Sequence, residues 1–240
     1  MSFRPFLGVA IVLAVVASRA GGEDVAAPPP QETVVHGTPP RIVGRWLALS
    51  WIDRSESGVS TMPALWQIAE QDGKPVFTQV FAKLPEPIRS AVDQASTQDQ
   101  PWTPTPADLS ALRQQWDKLE PEEAGFKSVW VEIATPDGYD DGLKKEPRTK
   151  DALWVVRQRF DASAKAAPVV RQVFVYAVTG TENGSFKGNF DGVTIAAAPM
   201  PVPIKLAGSF RLYQIDGPPP GLASRGVLAR LLDAFRGCGR

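Results

Sequence analysis

The sequence predicts a mainly β protein: an antiparallel barrel of about eight strands with a helical insertion and a C-terminal amphipathic helix. Three observations carry this expectation. Short aromatic and apolar runs recur along the chain, Asp72-Gly73 and Asn183-Gly184 supply hairpin turns between them, and strong helical spacing is confined to one insertion and the C-terminal end.

The first 20 residues read as a secretory signal peptide. Arg4 is the basic start, Phe6 to Val16 is an apolar run of 11 residues, and Ser18-Arg19-Ala20 offers small residues where a signal peptidase cuts. That run is short beside the ~20 residues needed to cross a bilayer, so a removed signal and an exported, periplasmic or secreted protein are expected. Residues 21–40 carry Pro28-Pro29-Pro30 and Pro39-Pro40 and are expected to form a disordered or extended tether. A single barrel-like domain is then expected over residues 41–240.

Its strands are expected at 45–52, 65–70, 76–81, 126–133, 153–160, 169–179, 186–197 and 202–215. The helical insertion covers about 86–120. Thr105 caps a helix with Pro106 in its first turn and Asp108 reaching back, and Leu109, Leu112, Trp116 and Leu119 follow at helical spacing. A weaker helix is expected around Ile88 to Ala95. At about 224–236, Leu228, Leu231, Leu232 and Phe235 make one apolar stripe, with Arg225, Arg230, Asp233 and Arg236 facing away. That helix either packs on the barrel or lies against anionic lipid as a peripheral membrane contact.

Composition narrows the chemistry. The chain has 26 basic and 26 acidic residues, so it has no basic footprint for nucleic acid. Its one histidine, His36, lies in the proline-rich stretch, and its one cysteine, Cys238, lies near the end. This argues against His-dependent triads, Cys nucleophiles, His or Cys metal cages and internal disulfides. Cys238 between glycines is expected to be an exposed thiol able to link two chains in a dimer. Asp137, Asp141 and Gly142 fall on calcium-loop positions, but Tyr139 and Arg148 occupy two ligand positions, so a solvated turn is expected there. No metal and no cofactor are expected. No Gly-x-Ser-x-Gly elbow, phosphate loop or dinucleotide fingerprint is present. No carboxylate pair is marked out for glycoside hydrolysis; Glu132, within Val129-Trp130-Val131-Glu132-Ile133, is the single candidate, and a lone glutamate on a strand is more often a surface residue than a catalytic one.

Gly44-Arg45-Trp46 resembles the Gly-x-Trp opening of the lipocalin family. The resemblance extends to an export signal, a run of antiparallel strands and a C-terminal amphipathic helix. It implies an eight-stranded cup for a small hydrophobic ligand, closed at one end by Trp46, with no catalysis. It also implies that Arg211, in Phe210-Arg211-Leu212-Tyr213, packs over that tryptophan. The insertion between strands three and four departs from the usual lipocalin layout.

In a barrel of about eight strands, core and pocket positions coincide. The candidate ligand-binding residues are therefore Trp46, Trp130, Trp154, Phe174 and Tyr176, joined by Arg157 and Arg159. These two arginines share one strand face, opposite Trp154, Val156 and Phe160. If the apolar set faces the core, the arginines lie outside. Read the other way round, they line the cavity and hold a ligand carboxylate or phosphate. The leading expectation is a non-enzymatic exported binding protein for a small apolar or amphipathic ligand. A second is a cell-envelope structural or interaction protein with a filled barrel and the insertion as docking surface. A third is a carboxylate-dependent hydrolase.

Overall fold

The computed structural model describes residues 31–38, 41–54, 58–122, 126–162, 169–196 and 202–216. The expected signal peptide, the C-terminal helix and Cys238 lie outside the described residues. Nine strands form one nearly closed barrel: β1 (Glu32–His36), β2 (Gly44–Arg54), β3 (Gly58–Gln71), β4 (Lys74–Val80), β5 (Phe126–Ala134), β6 (Trp154–Ala162), β7 (Val169–Glu182), β8 (Ser185–Ala196) and β9 (Val202–Gln214). Their order around the wall is β1-β5-β6-β7-β8-β9-β2-β3-β4. Every pair is antiparallel except β1 with β5, which runs parallel.

Two turns expected from sequence set the register of their hairpins. Asp72-Gly73 joins β3 to β4 with φ of 52° and 74°, and Asn183-Gly184 joins β7 to β8 with 49° and 76°. Both residues of each turn are left-handed, the type I′ geometry whose twist matches that of paired strands. The insertion also folds as expected, into α1 (Glu86–Thr97) and α2 (Pro106–Gln115). Thr105 and Asp108 complete a reciprocal capping box at the start of α2.

The ninth strand was not expected. β1 arises inside the segment read as a tether, because Thr33-Val34-Val35 is β-branched and lies beside the unpaired edge of β5. Toward β4 the seam is held by side chains: Gln31 Nε2 donates to the Phe77 carbonyl at 2.5 Å, and Thr33 Oγ1 accepts from the Phe77 amide at 3.3 Å. A parallel partner cannot be reached by a tight turn, so β1 carried no hairpin signal.

Alternation along the strands divides the buried residues into three sets. The inner set fills the barrel and includes Trp46, Trp66, Phe77, Trp154, Tyr176, Phe190 and Phe210. A second set lies outside β2, β3 and β9, where Leu47, Leu49, Leu65 and Tyr213 receive Ile88, Val92, Leu112 and Trp116 from the insertion. The insertion thus spends its apolar faces on the barrel wall, and its outward residues are polar. A third set lies outside β5, β6 and β7. Here Tyr139 and Leu143, beside and on the short helix α3 (Asp141–Lys145), cover Ala134, Val155 and Ala177. The acidic run therefore forms a structured cover rather than a plain solvated turn. Asp140 caps α3 by accepting from the Leu143 amide at 2.7 Å. Tyr139 donates to the Ala152 carbonyl at 3.0 Å, and burial pushes its hydroxyl up to about 12.

Candidate functional site

Of the seven residues expected to line a cavity, four point inward: Trp46, Trp154, Phe174 and Tyr176. They pack against one another and against further aromatics. Phe186 lies between Trp46 and Trp154, with ring centroids 5.6 and 5.4 Å away. Trp66 meets Tyr176 at 5.1 Å, and Tyr176 meets Phe210 at 5.3 Å. β3 and β7 stand four places apart in a ring of nine strands, so the Trp66–Tyr176 contact crosses the barrel. Ile42, fully buried, belongs to the same cluster, and its carbonyl accepts from Trp46 Nε1 at 2.8 Å.

The fit depends on small residues facing the large ones. Phe174 opposes Gly192 across β7–β8, and Phe210 and Phe190 oppose Gly188 and Gly208 across β8–β9. A Cβ at Gly192 would stand 2.5 Å from the Phe174 ring. Large and small side chains paired across a ladder allow native density without strain.

Trp130, Arg157 and Arg159 face the outside of the wall, which corrects the expected place of Trp130 in the cavity and realises the first of the two readings for the arginines. A register shift between Ser128 and Trp130 moves the alternation of β5, so that Val131 and Ile133 point inward and Trp130 and Glu132 outward. Arg157 opposes Glu132 directly across β5–β6 and donates to its Oε2 at 3.0 Å. Glu132 is also approached by His36 Nε2 at 3.2 Å from β1, and Arg157 reaches Asp140 at 3.4 Å. The Glu132 side chain is 8% exposed, so burial of its carboxylate is tolerated because two basic side chains face it. The histidine expected in a tether therefore secures the closing strand. Arg159 opposes Trp130 and lies 3.8 Å from Asp161.

Just beyond β1, the Asp137 carboxylate accepts from Thr135 Oγ1 at 2.5 Å, from Thr38 Oγ1 at 2.7 Å and from the Thr38 amide at 2.9 Å. Hydrogen bonds from Thr135 and then Thr38 hold its carboxyl down at about 2. Among the described residues, no group of three or more His, Cys, Asp or Glu is placed to hold a metal ion.

A concave surface of about 270 Å³ lies on the outer wall over β2, β9, β8 and β7, lined by Trp51, Thr179, Glu182, Lys187, Asn189, Ser209 and Arg211. Sequence reasoning did not find it as a site, because it is assembled by register from four strands. Its only linear trace is the polar alternation of Lys187, Asn189 and Asp191 between Phe186, Gly188 and Phe190. Arg211 lies here with its guanidinium 5.9 Å from the Trp51 ring centre, not over the inward-facing Trp46. The chain matches no protein-family model, no curated protein and no solved structure.

Proposed function

We propose that this is an exported, non-enzymatic interaction protein of the cell envelope, in which the barrel is a filled scaffold and partners are met on its outer wall. The single observation that supports this most is the contact of Trp66 with Tyr176 from opposite walls at 5.1 Å. A small ligand in the middle of the barrel would have to displace both rings, each buried. The loss of their packing would cancel what its own burial contributes. Export is supported by Arg4, the Phe6–Val16 run and Ser18-Arg19-Ala20. Engagement of Glu132 by Arg157 and His36 supports a structural rather than hydrolytic role for that carboxylate. The helices of the insertion contribute to stability by covering the wall, which leaves recognition to the polar parts of the outer surface.

The test is titration of the full chain with a long-chain fatty acid and with its neutral alcohol, read as tryptophan quenching. Absence of saturable quenching with both is the expected result. One-site saturable binding of either would return the protein to the class of cavity binders.

A further inference from the structure

We propose that the outer groove over β2, β9, β8 and β7 binds an acidic sugar, with Lys187 and Arg211 holding its carboxylate and Asn189 and Ser209 its hydroxyls. This rests on the reading that partners are met on the outer wall.

Strand register gathers the side chains of the groove. Lys187 and Asn189 are two apart on β8, and Ser209 and Arg211 are two apart on β9, so each pair shares the outward face of its strand. The ladder sets Asn189 opposite Ser209 and Lys187 opposite Arg211, and Trp51 on β2 opposite Ser209. Four polar side chains and an indole therefore form two adjacent rows on one curved surface.

The charge arrangement is unusual for a wall that only has to be soluble. Two cations directly across a strand pair repel each other, and such pairs destabilise a sheet. Here Glu182, from the end of β7, bridges them, at 3.0 Å from Arg211 and 3.4 Å from Lys187. One carboxylate between two cations leaves one positive charge without a counter-charge inside the groove. An incoming carboxylate would supply it, and guanidinium offers that group paired donors.

The remaining groups fit a polyhydroxylated ring better than a bare anion. Among the described residues, the Asn189 amide and the Ser209 hydroxyl have no hydrogen-bond partner, and both residues are exposed. Trp51 is held in place, its Nε1 donating to the Trp102 carbonyl at 3.3 Å; it is half-buried, with Arg211 over its ring, and the part left exposed adds apolar surface to the groove. A phosphate or sulfate ion would use the two cations and leave this ring, amide and hydroxyl idle. A volume of about 270 Å³ falls just below the usual range for small-molecule sites, so the groove takes about one ring at a time.

The test is calorimetric titration of the full chain with digalacturonic acid, with its methyl ester and with acetate, at low salt. Saturable one-site binding of the acid is expected, at least tenfold weaker for the ester and absent for acetate at the same concentration. Lys187→Met and Asn189→Ala change exposed side chains and should leave the near-UV circular dichroism intact. Each should weaken binding of the acid at least fivefold, while Lys150→Met, away from the groove, leaves it unchanged. No binding of digalacturonic acid, equal binding of acid and ester, full competition by acetate, or indifference to both groove variants would overturn the assignment. The fatty-acid titration is repeated on Lys187→Met: quenching that persists in this variant reports on the barrel interior and quenching that is lost reports on the groove, so a failure of one reading is not mistaken for a failure of the other.

Discussion

Trp66 on β3 and Tyr176 on β7 touch edge to face across the barrel, with ring centres 5.1 Å apart and planes at 77°. This contact joins opposite walls, and the rings of Phe77, Phe190 and Phe210 extend it in other directions. Edge-to-face pairs contribute beyond their buried area, so these aromatics form a connected core. Burial of Tyr176 pushes its phenol well above the ordinary range, as expected where water does not reach.

The glycines opposite those rings set the first prediction. A Cβ at Gly208 would stand 2.9 Å from the Phe190 ring and 1.9 Å from the Trp51 carbonyl oxygen. Gly208→Ala should therefore lower stability by roughly 1–3 kcal/mol through overpacking. Urea unfolding followed by circular dichroism measures this, and a midpoint equal to that of the parent chain would show the interior to be looser than described.

The second prediction concerns the closing strand. Arg157→Leu leaves the buried Glu132 carboxylate with His36 as its remaining basic neighbour, and the cost should be about 2–4 kcal/mol. The double variant Glu132→Leu/Arg157→Leu removes the stranded charge and should recover more than half of that loss. A double variant less stable than the single one would contradict the pairing.

How much of this was legible in the sequence depends on the range of the signal. Asp72-Gly73 and Asn183-Gly184 named their hairpins because a two-residue turn needs left-handed backbone at both positions, and these residue types adopt it readily. Thr105 and Asp108 likewise announced α2 within four residues. β1 was not legible, since its partner β5 lies about a hundred residues on and runs parallel. Nor was the facing of Trp130: Val129, Trp130 and Val131 are all apolar, and the register shift beside Ser128 removes the alternation that would assign a face. The arginines of β6 could be read either way, because each reading is self-consistent along one strand. Glu132 opposite Arg157 decides between them, and that is a fact of pairing.

The third prediction follows from Asp137, which ties the segment after β1 to the turn after β5. Its folded-state carboxyl lies below the ordinary aspartate range, at about 2. A depressed carboxyl contributes stability that is fully present above its unfolded value and is lost as pH falls through the folded one. Amide protection of Val34 to His36 should therefore decline between about pH 4 and pH 2. In Asp137→Asn that protection should be weaker at neutral pH and flat through the same window. Hydrogen exchange read by mass spectrometry or NMR distinguishes the two profiles.

The fourth prediction concerns processing. Protein recovered after export should begin near Gly21, since Ala20 closes the small-residue site. N-terminal sequencing that returns Met1 from a membrane fraction would contradict it.

The filled barrel is tested most directly by asking whether a small apolar molecule can enter it. Benzene binding to the parent chain and to Phe190→Ala, followed by methyl and aromatic NMR shifts, compares the packed interior with one from which a ring has been removed. Apolar cavities of about 150 Å³ in protein cores bind benzene, whereas close-packed cores do not. The parent chain should show no saturable shift changes, and Phe190→Ala, although roughly 3–5 kcal/mol less stable, should show one-site binding. Saturable binding of benzene by the parent chain, with shifts centred on Trp66 and Tyr176, would contradict the account.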